Sequence, residues 1–154
     1  MTIRNCMKTN VFSIRADATL ADAARLFIRH HIGLLPVVDE TGKPIGTLGL
    51  RDIVSMAMPA FVRMVENFDF VHDFGAVEDT RPSPEALNQP VTSRMGPIFS
   101  VPDTCGLLRA YALMLYHKLH DLPVIDGQGR LVGIASRVDL GVAILKSWRV
   151  EEMS

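Results

Sequence analysis

Ser136-Arg137-Val138-Asp139 brings a hydroxyl, a guanidinium and a carboxylate within four residues, directly after the apolar run 131–135. One carboxylate has two oxygens and can accept hydrogen bonds from two vicinal hydroxyls at once, as the acidic residue of dinucleotide folds does. Ser136 stands at the end of a predicted strand, and the helix predicted to follow presents unpaired N–H groups and a partial positive charge to an anion. Arg137 is placed to add a charge-assisted contact to a phosphate. The same Ser-x-x-Asp spacing is also a capping box, sufficient merely to start a helix. The two readings are compatible, because one residue pair can serve both.

This segment has a counterpart 87 positions earlier, Gly49-Leu50-Arg51-Asp52. The acid and the arginine are kept, but Gly49 stands where Ser136 stands, so the hydroxyl is gone. Asp52 and Arg51 therefore predict a weaker or empty second site. The correspondence extends well beyond these residues. Val11-Phe12-Ser13-Ile14 returns as Ile98-Phe99-Ser100-Val101, and Leu35-Pro36-Val37-Val38-Asp39 as Leu122-Pro123-Val124-Ile125-Asp126. Gly42 and Gly46 return as Gly129 and Gly133, with no gap needed from Val11 to Ile53. A fixed internal period points to repeated structural units. Each copy, at about 45–50 residues, is too small to bury a sufficient core alone. Two copies packed face to face form a cleft suited to a small ligand.

The elements that position these residues follow from the periodicity. Residues 11–14 read as a strand. Thr19 with Asp22 forms a capping box, and Leu20, Ala23, Ala24, Phe27 and His31 mark one face of a helix that Gly33 can end. Residues 34–39 and 45–48 read as strands across a turn, and a helix starts near Leu50 and runs at least to Met56. The second copy repeats the order: strand 98–101, a helix with Leu107, Ala110, Tyr111 and Met114 on its apolar face, strands 122–126 and 131–135, and a closing helix from Arg137 to about Ser147. Asp103 or Thr104 is the expected cap of the middle helix, because Gly106 replaces Thr19. The fold class is therefore α/β (α+β): two strand-helix-strand-strand-helix repeats related by a pseudo-twofold axis. Residues 1–57 form the first repeat with its lead-in, 58–94 an insertion and lead-in, and 95–154 the second repeat and tail, in one compact module.

In the insertion, Arg81-Pro82-Ser83-Pro84 reads as an extended connection. Phe61, Phe68, Phe70 and Phe74 are expected to pack over the repeats. Asp69, His72 and Asp73 resemble metal-ligand spacing, but no cysteine or second histidine accompanies them, and no metal site is expected.

Composition narrows the function classes. The 154 residues are 48% hydrophobic and 21% charged, with a net charge of −1 and no basic stripe, which argues against nucleic acid. No apolar run is long enough to span a bilayer. The first residues contain no apolar segment typical of a signal peptide. Two cysteines, Cys6 and Cys105, form no CxxC pair and fit a reducing compartment, so a cytoplasmic protein is expected. No nucleophile, base and oxyanion site assemble, so no enzyme and no catalytic residue are expected.

Two αβ copies, each carrying L-P-V-h-D, then G-x-h-h-G and an Asp six residues later, resemble a tandem pair of CBS domains, the family named after cystathionine β-synthase. The resemblance covers both repeats. It implies a regulatory sensor that binds an adenosine-containing ligand (AMP, ADP, ATP or S-adenosylmethionine) in the inter-repeat cleft and commonly dimerises; no cofactor is required. The family's ribose motif, G-h-x-[S/T]-x-x-[D/N], maps onto Gly133-Ile134-Ala135-Ser136-Arg137-Val138-Asp139. By the same resemblance, Met95, Pro97 and Ile98 with His120, Asp121, Leu122 and Pro123 form the adenine slot. A homodimer is expected from apolar helix surface around Leu107, Tyr111, Met114 and Leu115, with an unidentified protein as possible target. The alternative is a structural or protein-interaction pair that holds no small molecule.

Overall fold

The computed structural model describes residues 1–58 and 75–153. The aromatic and acidic segment of the insertion, with Phe61, Phe68, Phe70, Phe74 and the Asp69, His72, Asp73 group, lies outside the described residues.

The chain forms two three-stranded sheets of the same topology. In the first, β1 (Ile14–Arg15) runs parallel to β2 (Leu34–Val38), which pairs antiparallel with β3 (Pro44–Gly49). In the second, β4 (Val101–Pro102), β5 (Asp121–Ile125) and β6 (Leu131–Ser136) repeat this arrangement. A parallel pair needs a crossover, supplied by α1 (Leu20–His30) and α4 (Leu107–His117). Helices α2 (Leu50–Val54) and α5 (Arg137–Ser147) follow the last strand of each sheet. Both sheets carry a register shift at the same place, Val37/Val38 and Val124/Ile125. The repeated aspartate after each middle strand has a local structural role. Asp39 Oδ1 accepts from the N–H groups of Thr41 and Lys43 at 2.8 and 3.1 Å, and Asp126 Oδ1 from those of Gln128 and Arg130 at 2.8 and 3.0 Å. These contacts, the Thr41 hydroxyl first for Asp39 and the Arg130 amide first for Asp126, hold both carboxyls below their ordinary value.

Capping explains where the helices begin. Thr19 Oγ1 accepts from the Asp22 N–H at 3.1 Å while Asp22 Oδ2 accepts from the Thr19 N–H at 3.0 Å, the reciprocal box expected from the sequence. Helix α4 departs from expectation. Gly106 is its N-cap with no side-chain cap, and Asp103 instead pairs with Arg4 at 2.7 Å. The first strands are also shorter and later than predicted, because only Ile14, Arg15, Val101 and Pro102 reach the neighbouring strand. Helix α2 stops at Val54 and tightens into a 3-10 turn, Ser55–Ala57. In the insertion, Arg81 to Ser83 is irregular with Ser83 extended, as expected, and a short helix, α3 (Pro84–Leu87), begins at Pro84, the last residue of that segment. Ser83 Oγ accepts from the Ala86 N–H at 3.1 Å, and Pro84 takes the first helical position, where a missing N–H costs nothing.

Each repeat has its own core, and each core borrows residues from outside its repeat. Leu20, Ala23, Phe27, Leu35, Val37 and Leu48 form the first, completed by the buried Val91 and by Met95 packed against it. Leu107, Ala110, Met114, Leu122, Val124 and Leu140 belong to the second, completed by the N-terminal Ile3 with Cys6 and Met7 packed against it. Leu107 and Met114, read as exposed dimer surface, are thus core residues; on α4 the exposed apolar residues are Leu108, Leu115 and Tyr116.

Candidate functional site

The exchange of lead-in segments builds the inter-repeat clefts. Lys8, N-terminal to the first repeat, donates to the Ile134 carbonyl at 2.8 Å and accepts from the Ile134 N–H at 2.9 Å. Gly96, N-terminal to the second repeat, forms the matching pair with Thr47 at 2.8 and 3.1 Å. Each lead-in therefore lies along the last strand of the other repeat. The backbones approach closely only because those strands carry glycine there: a Cβ at Gly133 would overlap the Met7 sulfur, and one at Gly46 would stand 2.7 Å from the Met95 sulfur.

One cleft, of about 700 Å³, lies between the first lead-in, the turn from α1 into β2, and the second repeat. Met7, Val11, Phe12, Ile32, Leu34 and Ile134 supply apolar wall. Lys8, Asn10, His30, His31 and Asp121 supply polar groups. The His30 ring stacks on Phe12 with centroids 3.7 Å apart and planes 16° apart. Lys8 Nζ, on the wall of this cleft, reaches Asp139 Oδ2 at 3.8 Å; Asp139 itself lines a neighbouring hollow of about 560 Å³ with Asn5, Cys6, Val142 and Lys146.

At the Ser136 to Asp139 segment the capping box is complete. Ser136 Oγ accepts from the Asp139 N–H and Asp139 Oδ2 accepts from the Ser136 N–H, both at 3.0 Å. Asp139 Oδ1 has no hydrogen-bond partner among the described residues. Arg137 Nε donates to the Leu119 carbonyl at 2.5 Å, and its backbone N–H donates to the His120 carbonyl at 3.2 Å. Asp121 pairs with Ser136 across the β5–β6 ladder, and its carboxylate lies 3.7 Å from the space a side chain on Gly33 would occupy. Burial pushes the Asp121 carboxyl above its ordinary value; Lys8 and His120 oppose this, and Asp139 adds to it.

The structure divides the residues singled out from the sequence. Ser136, Arg137, Asp139, His120 and Asp121 come together at the β5, β6 and α5 junction. Met95 and Pro97 lie instead against β3, where Met95 packs on the first core and the Pro97 carbonyl accepts from the Thr47 hydroxyl at 3.4 Å. They flank the first copy's Gly49-Leu50-Arg51-Asp52, in which Asp52 Oδ2 accepts from the Gly49 N–H at 2.6 Å and Arg51 is exposed. Ile98 follows them, half-buried. Leu122 and Pro123 are fully buried within β5 and present no side chain to a cleft. Lys8 escaped the sequence reading. Its signal is a second repeat, Ile3-x-x-x-Met7 against Val91-x-x-x-Met95, spaced 88 rather than 87 residues and so outside the gapless alignment.

The two copies differ in chemistry at related positions: Ser136 corresponds to Gly49, Asp121 to Leu34 and, through the lead-ins, Lys8 to Gly96. Asp121 and Leu34 both line the cleft of about 700 Å³.

The chain is thus a pair of αβ repeats of one topology that exchange their lead-in segments. A family model for the CBS domain matches residues 3–58 and 91–146, and the chain belongs to that family. It is 28% identical over 138 residues to an uncharacterized 17.7 kDa protein of Acidianus ambivalens, covering 89% of this chain and 69% of that protein. Its fold matches the CBS-pair protein CBSX2 from Arabidopsis thaliana with a TM-score of 0.73 at 22% identity, over 96% of each chain; CBSX2 has also been solved in complex with AMP. The CBS domain pair of protein MJ0100, solved with 5′-methylthioadenosine and S-adenosyl-L-methionine, matches with a TM-score of 0.69 at 17% identity, over 96% of this chain and 98% of that one.

Proposed function

We propose that this chain is a regulatory ligand-sensing module that binds an adenosine-containing small molecule in the cleft at Asp139 and acts through a homodimer. The observation that carries the reading is the state of the Asp139 carboxylate. Its Oδ2 is held by the Ser136 N–H, which fixes the group, while Oδ1 stays without a partner among the described residues. A fixed carboxylate with an open oxygen, near a cleft of about 700 Å³ that offers both apolar and polar wall, suits a ribose and its base. Ser136 and Asp121 line the same junction, and Asp52 with Arg51 forms the weaker second site. Met95, Pro97 and Ile98 belong, in this reading, to the wall of that second site, and His120 to the junction at Ser136 and Asp139. Both thiols are pushed up by burial, which makes neither an activated nucleophile and supports a binding rather than a catalytic role. A cytoplasmic setting is part of the proposal.

The competing reading, a structural pair that holds no ligand, has one observation in its favour: the complete capping box accounts for Ser136 and Asp139 without any ligand. Thermal unfolding against adenosine, AMP, ATP and S-adenosylmethionine separates the two, because a ligand that binds only the folded state raises stability by mass action. Dose-dependent stabilisation is expected. Calorimetry on Asp139→Ala should then show about a tenfold to hundredfold loss of affinity, the scale of a lost hydrogen bond to a charged group. Absence of any stabilisation, or unchanged binding by folded Asp139→Ala, rejects the site.

A further inference from the structure

Resting on the adenosine reading of this cleft, we infer that Asp121 reads the base: its carboxylate accepts a hydrogen bond from the 6-amino group of the purine and so favours 6-aminopurine nucleosides over those that lack the amino group.

Asp121 is the first residue of β5, pairs with Ser136 of β6, and lines the cleft of about 700 Å³. Its carboxylate reaches from the second repeat to the first, where Oδ2 lies 3.7 Å from the point that a Cβ on Gly33 would occupy. Among the described residues it accepts no hydrogen bond and forms no ion pair. Burial penalises its charge and raises its proton affinity; Lys8 and His120 act in the opposite direction, and Asp139 adds to the rise. A half-buried carboxylate in this state gains from a donor that enters the cleft.

The other polar side chains on the wall are less suited to reading an edge. Lys8, Thr9, Asn10 and His31 are exposed, and the His30 ring is stacked on Phe12. The repeat counterpart of Asp121 is Leu34, which lines the same cleft, so the two equivalent positions supply one polar and one apolar group. That mixture suits a flat heterocycle. Met7, Leu34 and Ile134 offer apolar contact to its faces, and Asp121 offers an acceptor to its edge. With the ribose at Asp139, the part of the ligand left for the cleft is the base. Adenine joined to a sugar through N9 has one hydrogen-bond donor, its 6-amino group, and an ionised carboxylate only accepts.

Calorimetry on the intact chain with adenosine and purine riboside, which differ only by the 6-amino group, tests this. Adenosine should bind roughly tenfold more tightly, the scale of one hydrogen bond to a charged group. Asp121→Leu, which installs the side chain found at position 34, should weaken adenosine by about tenfold and leave purine riboside nearly unchanged, closing the gap. Asp121→Ala repeats the test if the Leu variant misfolds. Asp121→Asn keeps an acceptor oxygen and should retain most of the preference for adenosine. A loss shared equally by the two ligands overturns the inference, because a merely structural role weakens both. An unchanged gap in a folded Leu or Ala variant overturns it as well. So does tighter binding of guanosine, whose amino group stands on a different carbon. Purine riboside binding as tightly as adenosine to the unmodified chain overturns the reading of the amino group while leaving the nucleoside site intact. Failure of both nucleosides, of AMP and of S-adenosylmethionine to bind rejects the adenosine reading itself, and this inference with it.

Discussion

The Lys8 ammonium stands 3.8 Å from the Asp139 carboxylate and ties the N-terminal lead-in to the helix that closes the second repeat. The contact exists because the Lys8 backbone pairs with Ile134, five residues before Asp139 in the strand that feeds α5. Lys8 is largely exposed while Asp139 is not, so the pair lies at the rim of the cleft.

Lys8→Met removes that cation and keeps most of the apolar stem. Exposed ion pairs contribute about 0–1 kcal/mol, so the unfolding free energy should change little. Ligand binding should respond unevenly. AMP should lose more affinity than adenosine, because only AMP carries a phosphate for the ammonium to meet. Equal losses for the two, measured by calorimetry, would place Lys8 against the sugar or the base instead.

The lead-in crossings also set an order of stability. A methyl group at Gly46 would meet the Gly96 carbonyl oxygen at 2.8 Å as well as the Met95 sulfur, and the carbonyl is held in a backbone pair with Thr47. At Gly133 the obstacles are the Met7 sulfur and, at 2.9 Å, its Cγ, side-chain atoms that can turn aside where a carbonyl held in a backbone pair cannot, with the Lys8 carbonyl farther away at 3.2 Å. Gly46→Ala should therefore destabilise by about 1–3 kcal/mol, the usual cost of overpacking. Gly133→Ala should cost less. Urea unfolding of both variants gives the comparison, and the reverse order would mean that the second lead-in yields more easily than the first.

Much of this architecture was open to a reading of the chain alone. The 87-residue period sets the two sheets, their hairpins and their crossover helices, and the Thr19 to Asp22 box sets the start of α1. The lead-in exchange was hidden because Met7 and Met95 are spaced by 88, which breaks the alignment just before Val11; the slot residues Met95 and Pro97 were consequently placed with the motif of their own copy. On α4 the row Leu107, Ala110 and Met114 is buried, as its spacing predicts. Leu108, Leu113 and Leu115 make that helix apolar on other sides as well, so apolar character alone does not separate core from outer surface. Ser83 is extended, as the preference before proline requires, and the same residue caps α3 with Pro84 at the first helical position, so the extended reading and the helix start share one residue.

Asp121 links the cleft to stability against pH. Its carboxyl is raised above the ordinary value, chiefly by burial. An acid with a folded-state pKa above its unfolded one opposes folding when ionised, and the penalty disappears as pH falls below the unfolded value. Asp121→Asn should therefore raise the melting temperature at neutral pH, and the gain should fade on acidification. Melting curves of both proteins across the acid range decide it. A variant less stable at neutral pH would mean that Lys8 and His120 outweigh burial at this position.

The helix surfaces lead to a prediction about assembly. Ile28 on α1 and Leu115 on α4 are related by the repeat, and both are exposed, at 74% and 54%. Near them stand the exposed Leu50 and Val54 of α2, and Val138, Val142 and Leu145 of α5, so each repeat presents an apolar helix pair on its outside. Apolar surface of this kind beyond a few hundred Å² is unusual on a monomer. If the homodimer is formed through these faces, a single charge in either one should weaken it. Ile28→Glu and Leu115→Glu should each shift sedimentation from dimer toward monomer. Neither side chain belongs to the buried core, so the fold should persist, and circular dichroism would show unchanged secondary structure. A dimer lost with only one of the two variants would place the interface on one repeat, and a chain that sediments as a dimer in both would place it elsewhere.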